Sequence, residues 1–125
     1  MKAEDFDAVV RSAIASIPSN FRSLLQNVVI SIQDYPSPDL VDEADDELFG
    51  IYMGTPLTER DANDTFMLPD QIVIFQGALE DAFESAEELE DEIRVTVIHE
   101  VGHFFGLSED QIEEALEAPR RTRGN

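Results

Sequence analysis

The sequence predicts an α+β fold: a small mixed β-sheet packed against an N-terminal helix and a longer helix that carries two histidines. Three observations lead there. Phe6, Val9, Val10, Ala13, Ile14 and Ile17 recur at helical spacing across residues 3–17, an amphipathic stripe whose expected task is to cover one face of a sheet, a partner-binding helix being the alternative. Three short runs, 27–34, 48–53 and 71–75, have the length and the β-branched or apolar content of strands. Finally, a charged, helix-forming run from Ser85 leads into His99-Glu100-Val101-Gly102-His103, whose histidines share one face if the segment is helical.

Taken in order, the first helix stops at Pro18, with Ser19-Asn20 as a turn. Phe21 to Leu25 continues as a short helix or turn. Asn27 to Asp34 is the first strand, and Tyr35-Pro36-Ser37-Pro38 then forbids regular structure. Residues 39–46 are acidic and read as a solvated loop; they lack the glycine-centred spacing of a calcium loop. Leu48 to Met53 is the second strand, where Gly50 and Gly54 suggest a bulge or a close backbone approach. Residues 58–65 form a polar loop. Gln71 to Phe75 is nearly all apolar and is expected at the centre of the sheet. Gly77 then allows a turn into a short helix over 78–83.

Ser85 and Glu88 form a capping box that opens the histidine helix. Glu87, Glu88, Glu90 and Asp91 favour its positive N-terminal end. Arg94 to Ile98 alone would read as a strand, but the charged run before it and the histidine spacing after it decide for helix. Ile93, Val97, Val101 and Phe104 share a face that should pack on the sheet. Val95, Ile98 and Phe105 add apolar surface elsewhere, so the helix is expected to be largely buried. Gly106 permits a left-handed exit. Ser108 with Gln111 forms a second capping box, opening a helix to about Glu117 that Pro119 ends. The basic tail, residues 120–125, is frayed or docks on the acidic surface.

The chain has two histidines, and both stand in this segment. One turn apart, their imidazoles can reach one ion, while Glu100 beside them can take a proton from an attacking water. The exit at Gly106 brings Glu109 or Asp110 back as a third ligand. The plainer alternatives are packing or surface histidines, and a Glu109 that merely favours a helix end. The full pattern, H-E-x-x-H-x-x-G-x-x-acid, is longer than the bare five-residue motif.

At these residues the chain resembles the small bacterial zincin-like metallopeptidases, single domains of about this length also called minimal metalloproteases. The resemblance runs back through Leu48 to Arg60 and Leu68 to Phe75, which look like the family's edge strand and the strand before its active-site helix. It covers the chain from about Val28 to Ile112. It implies a zincin-like fold, one domain over residues 1–125, and one catalytic Zn²⁺. His99 and His103 are then metal ligands, Glu100 the general base and Glu109 the third ligand. Asp110 stays open as the alternative, because a related pattern places aspartate at the third-ligand position. The resemblance also implies that Gly50, Ile51, Tyr52, Met53 and Gly54 form an edge strand that pairs with an extended peptide or protein substrate; an ordinary hairpin strand is the alternative. The chain departs from the family's habits in two ways: nothing aromatic follows Phe105, and no methionine follows it to make a Met-turn. The implied activity is zinc-dependent hydrolysis of peptide bonds. The other reading is a non-catalytic zincin-fold module that binds peptides or proteins with weak or lost activity.

Composition narrows the partners. A formal net charge of −20 makes this an acidic protein, ill suited to nucleic acid or to anionic membranes. That charge keeps the protein in solution by self-repulsion and could also steer a cationic peptide toward it. No stretch approaches the roughly eighteen apolar residues of a membrane span, and Met1 to Asp5 does not read as a secretory signal. Without cysteines, any zinc must use nitrogen and oxygen ligands. A cytoplasmic monomer or weak homodimer is the expectation.

Overall fold

Apolar residues on both faces of one strand place that strand at the middle of the sheet. The strand is β3 (Asp70–Phe75): Ile72 and Ile74 are fully buried on one side, and Val73 and Phe75 are buried as well. A computed structural model describes residues 1–40, 48–56 and 69–114. Before β3 come α1 (Ala3–Ala15), α2 (Ser19–Arg22) running into a 3₁₀ turn (Ser23–Leu25), β1 (Val28–Gln33), a 3₁₀ turn (Pro38–Leu40) and β2 (Gly50–Met53). After it come α3 (Gln76–Ala82), α4 (Ala86–Phe105) and a further helix, α5, described over 109–114.

The sheet order is β1-β3-β2. β1 runs parallel to β3, from Val28 opposite Asp70 to Gln33 opposite Phe75. β2 runs antiparallel, from Gly50 opposite Ile74 to Met53 opposite Gln71. The sheet is therefore mixed, with β2 as one of its edges.

One core joins the helices to this sheet. α1 contributes Phe6, Val10 and Ala13, and Ile17 follows from just beyond its end. α4 contributes Leu89, Ile93, Val97, Val101 and Phe104, steps of three and four residues that keep one face inward. Ile72, Ile74, Leu25 and Leu79 complete the cluster. Burying these side chains is what holds α4 against the sheet and turns its other face outward.

Several boundaries differ from expectation. α1 ends at Ala15 rather than Ile17, yet Ile17 still enters the core from the turn. Pro38 opens a 3₁₀ turn where no regular structure was expected, its fixed φ suiting a first helical position. Gly77 is the second residue of α3, not a turn before it. β2 starts at Gly50, although the Phe49 carbonyl already accepts from Phe75 N–H at 2.8 Å. Residues 41–46 of the expected acidic loop, the loop at 58–65, the helix end near Glu117 and the basic tail lie outside the described residues. Among those that are described, no helix is long and apolar enough to cross a membrane.

Ile93 is fully buried at the centre of the α4 face. Ile93→Ala should cost about 2–5 kcal/mol in urea unfolding followed by circular dichroism. Leu24→Ala, at a half-exposed position, should stay within about 0.5 kcal/mol of the parent.

Candidate metal centre

α4 begins at Ser85, whose hydroxyl accepts from the Glu88 N–H at 3.0 Å, with Glu87 and Glu88 in the first turn. Its β-branched stretch stays helical because the side chains serve different surfaces. Val97 enters the core, whereas Thr96 is buried beside Gly50 of β2 and donates to the Glu92 carbonyl at 2.7 Å. Ile98 and Phe105 pack against the core from its margin.

With that face inward, His99 and His103 come out one turn apart. Their Nε2 atoms are 3.0 Å apart and their rings stand at 79° to each other. Both imidazoles are about one-third exposed. Burial, and then the proximity of His99, lower the pKa of His103, while Glu109 pulls it up. Holding an imidazole neutral keeps a ring nitrogen lone pair available to a metal ion.

The chain then reverses around a glycine. Gly106 sits at φ 80°, ψ 22°, a conformation that β-carbons resist. Gly106 N–H donates to the His103 carbonyl and Leu107 N–H to the Gly102 carbonyl, each at 3.0 Å. These are the two bonds of a Schellman ending. Ser108 and Gln111 exchange both arms of a capping box: Ser108 N–H to Gln111 Oε1 at 2.9 Å, and Gln111 N–H to Ser108 Oγ at 3.2 Å. Glu109 opens α5 and its Oε1 lies 3.5 Å from His99 Nε2 and 3.3 Å from His103 Nε2. Of the two acids that follow Gly106, it is Glu109 whose carboxylate is placed against the imidazoles; Asp110 is exposed on the same turn.

Glu100 differs from His99, His103 and Glu109 by being buried, at 8% exposure. It offers an oxygen within 4.8 Å of the two histidine nitrogens, so that His99, Glu100 and His103 could together hold a metal ion. Burial pushes its pKa up to about 7, the Glu109 charge adds to that, and a hydrogen bond from the Tyr52 backbone N–H pulls it down.

The site also fits a tetrahedral ion. Zinc bound by nitrogen and oxygen at about 2.0–2.2 Å sets neighbouring ligand atoms roughly 3.3–3.5 Å apart. His99 Nε2, His103 Nε2 and Glu109 Oε1 form a triangle with sides of 3.0, 3.3 and 3.5 Å. All three atoms are of the donor types that a cysteine-free chain must use.

The edge strand lies directly against this helix. A β-carbon at Gly50 would sit 2.8 Å from Thr96 Cγ2 and 3.3 Å from Glu100 Cγ, so Gly50 serves a close approach while β2 keeps unbroken register with β3. Because the Phe49 main chain pairs with β3, alternation turns the main-chain groups of Gly50 and Tyr52 away from it. Tyr52 N–H meets Glu100 there. The Tyr52 hydroxyl donates to buried Asp70 at 2.7 Å, and its ring meets Phe104 edge-on at 6.0 Å. A β-carbon at Gly54 would fall 2.6 Å from that Asp70 carboxylate. Ile51 is half-buried, while Met53 and Gly54 are exposed. Reading the sequence put Tyr52 on the edge strand but missed its bonds to Glu100 and Asp70, and missed Asp70 altogether. The one available signal was that Tyr52 shares a strand face with Gly50.

The zincin-like metallopeptidase family matches residues 25–118, and the chain belongs to that family. Among solved structures it is similar to a conserved hypothetical protein from Thermo thermophilus, with 24% identity over 82% of this chain and 92% of that one and a TM-score of 0.55. That likeness is one of fold. No curated protein matches the sequence.

The raised pKa of Glu100 has a consequence for the metal-free protein. Below about pH 4.5 the carboxyl is protonated in both the folded and the unfolded chain. As pH rises the unfolded chain ionises first, so stability falls until about pH 7, where the folded group ionises too. Glu100→Gln, which does not ionise, should therefore raise the unfolding free energy of chelator-treated protein at pH 8, measured by urea titration, by up to about 3 kcal/mol. The difference should shrink away by pH 4.

Proposed function

We propose that this chain is a zinc-dependent metallopeptidase in which His99, His103 and Glu109 hold one Zn²⁺ and Glu100 is the general base. The observation that carries the reading is the triangle of nitrogen and oxygen atoms, 3.0 to 3.5 Å on a side, with a buried carboxylate beside it. Three protein ligands leave a fourth tetrahedral position open, the arrangement of catalytic rather than structural zinc. Membership of the zincin-like metallopeptidase family supports the same reading.

Bound there, zinc would supply the positive charge that acidifies a water molecule and polarises the scissile carbonyl. Glu100 takes the proton from that water as its oxygen attacks, and then hands it to the leaving amine nitrogen. Burial raises the proton affinity of Glu100, which favours its accepting that proton. The Tyr52 N–H fixes the orientation of the Glu100 carboxylate, and the Tyr52–Asp70 hydrogen bond steadies the strand that provides it. An extended peptide laid along β2 would use the outward main-chain groups of Gly50. Met53 and Gly54 would meet its flank.

Isothermal titration of chelator-treated protein should show one Zn²⁺ per chain, lost in His99→Ala. Glu109→Ala should weaken zinc binding at least about tenfold, and Asp110→Ala much less. The reverse order would move the third ligand to Asp110.

Glu100→Gln should retain zinc and the fold but cut peptide hydrolysis at least about a hundredfold. Cleavage of a mixed peptide library, read by mass spectrometry with zinc-loaded parent and variant, makes the comparison. Equal cleavage by both would remove Glu100 from the mechanism. No cleavage by the parent would favour a peptide-binding module that lacks turnover.

A further inference from the structure

Glu109 reaches the imidazoles from a different helix, with its side chain 63% exposed. Among the described residues the groups set against its carboxylate are the two imidazoles themselves. Its position is therefore set by the course of the α5 main chain. Two devices shape that course at the corner: the Schellman bonds around Gly106 and the capping box of Ser108 and Gln111. Both act within residues 102–111 and leave open how α5 leans toward α4. The lean is set further along, where Ile112, 1% exposed, rests on Gly102.

That contact has no slack. A β-carbon at residue 102 would stand 2.6 Å from Ile112 Cγ1 and 2.9 Å from Cδ1. We propose that the Gly102–Ile112 contact positions the Glu109 carboxylate as third metal ligand, which makes both residues positioning residues for the metal centre. The inference rests on the ligand set proposed above.

The magnitudes favour it. Carbon–carbon contacts settle at about 3.5–4.0 Å, so a methyl group at residue 102 would push Ile112 away by about 1 Å. A β-branched side chain cannot easily rotate its Cγ1 aside, least of all in a closed site. Ile112 and Glu109 stand about one turn apart on α5, roughly 4.5 Å along its axis, so the helix carries the shift to the ligand. Metal–ligand distances tolerate about 0.2 Å, several times less than that shift. His99 and His103, on α4, keep their places. Alanine is a better helix former than glycine, so α4 itself should not suffer from the change.

The test uses the full chain and two probes. Zinc affinity is measured by competition with a chromophoric chelator, and Co²⁺ is added as a spectroscopic substitute whose visible absorption reports coordination number. Gly102→Ala should lower zinc affinity at least about tenfold and shift the Co²⁺ spectrum toward that of Glu109→Ala. In a Glu109→Ala background the same change should cause no further loss, because the ligand it displaces is already gone. Adding Ile112→Ala to Gly102→Ala should restore part of the affinity and of the spectrum. Should Gly102→Ala fail to fold by circular dichroism, Ile112→Ala alone carries the comparison, weakening zinc binding only when Glu109 is present. The proposal is overturned if Gly102→Ala binds both ions like the parent, or if it weakens binding equally with and without Glu109. An unchanged affinity in Glu109→Ala would overturn the ligand set itself, and this inference with it.

Discussion

The approach of β2 to α4 at Gly50 is the constraint on which the rest of the site depends. The absent side chain lets Thr96 and the Glu100 methylene close against the strand, and that closure excludes water from the Glu100 carboxyl. The same closeness brings the Tyr52 N–H within reach of the carboxyl. One packing contact thus desolvates the group and supplies the hydrogen bond that orients it, two effects that move its pKa in opposite directions. Desolvation wins, which leaves the carboxyl near neutrality rather than in the usual acidic range. In the metal-free protein a carboxyl so placed can gain and lose a proton near neutral pH.

The two faces of α4 do different work. Ile93, Val97, Val101 and Phe104 hold the helix to the sheet, and because they recur at three and four residues the opposite positions are left to chemistry. Helical period alone then sets His99 and His103 together. The return of Glu109 has another origin, since it depends on a left-handed glycine, a capping box and the seat of Ile112. These devices are short-range and each is modest in energy. Together they bring a surface carboxylate back over the helix it has just left.

Much of this was legible in the residues. The α4 stripe, the histidine spacing, the Gly106 exit and both capping residues are patterns of local physics, and local physics is what a sequence states most directly. The small mixed sheet and the membership of the zincin-like family agree with the structure. What escaped was non-local. Tyr52 and Asp70 lie 18 positions apart and meet only because β2 and β3 pair in one particular register. Gly102 read as an ordinary part of the motif until Ile112 was seen against it. The role of Gly50 was half visible, since a strand glycine announces a close approach without saying to what. Helix ends such as Ala15 shifted by a residue or two because fraying turns carry little sequence signal.

The groups that meet at the centre differ in how far along the chain they are drawn from. His99, His103 and Glu109 all lie within residues 99–109 and need only one helix, one turn and the start of another. The environment of Glu100 needs β2, and β2 is held by β3. On the proposed reading, capture of an ion would be a short-loop event and proton transfer a long-loop one, with very different closure entropies. A chain that has formed α4 without its sheet would keep some hold on a metal ion while lacking a buried base. An ion that also binds such partly folded chains stabilises the native state by less than its native affinity alone would give.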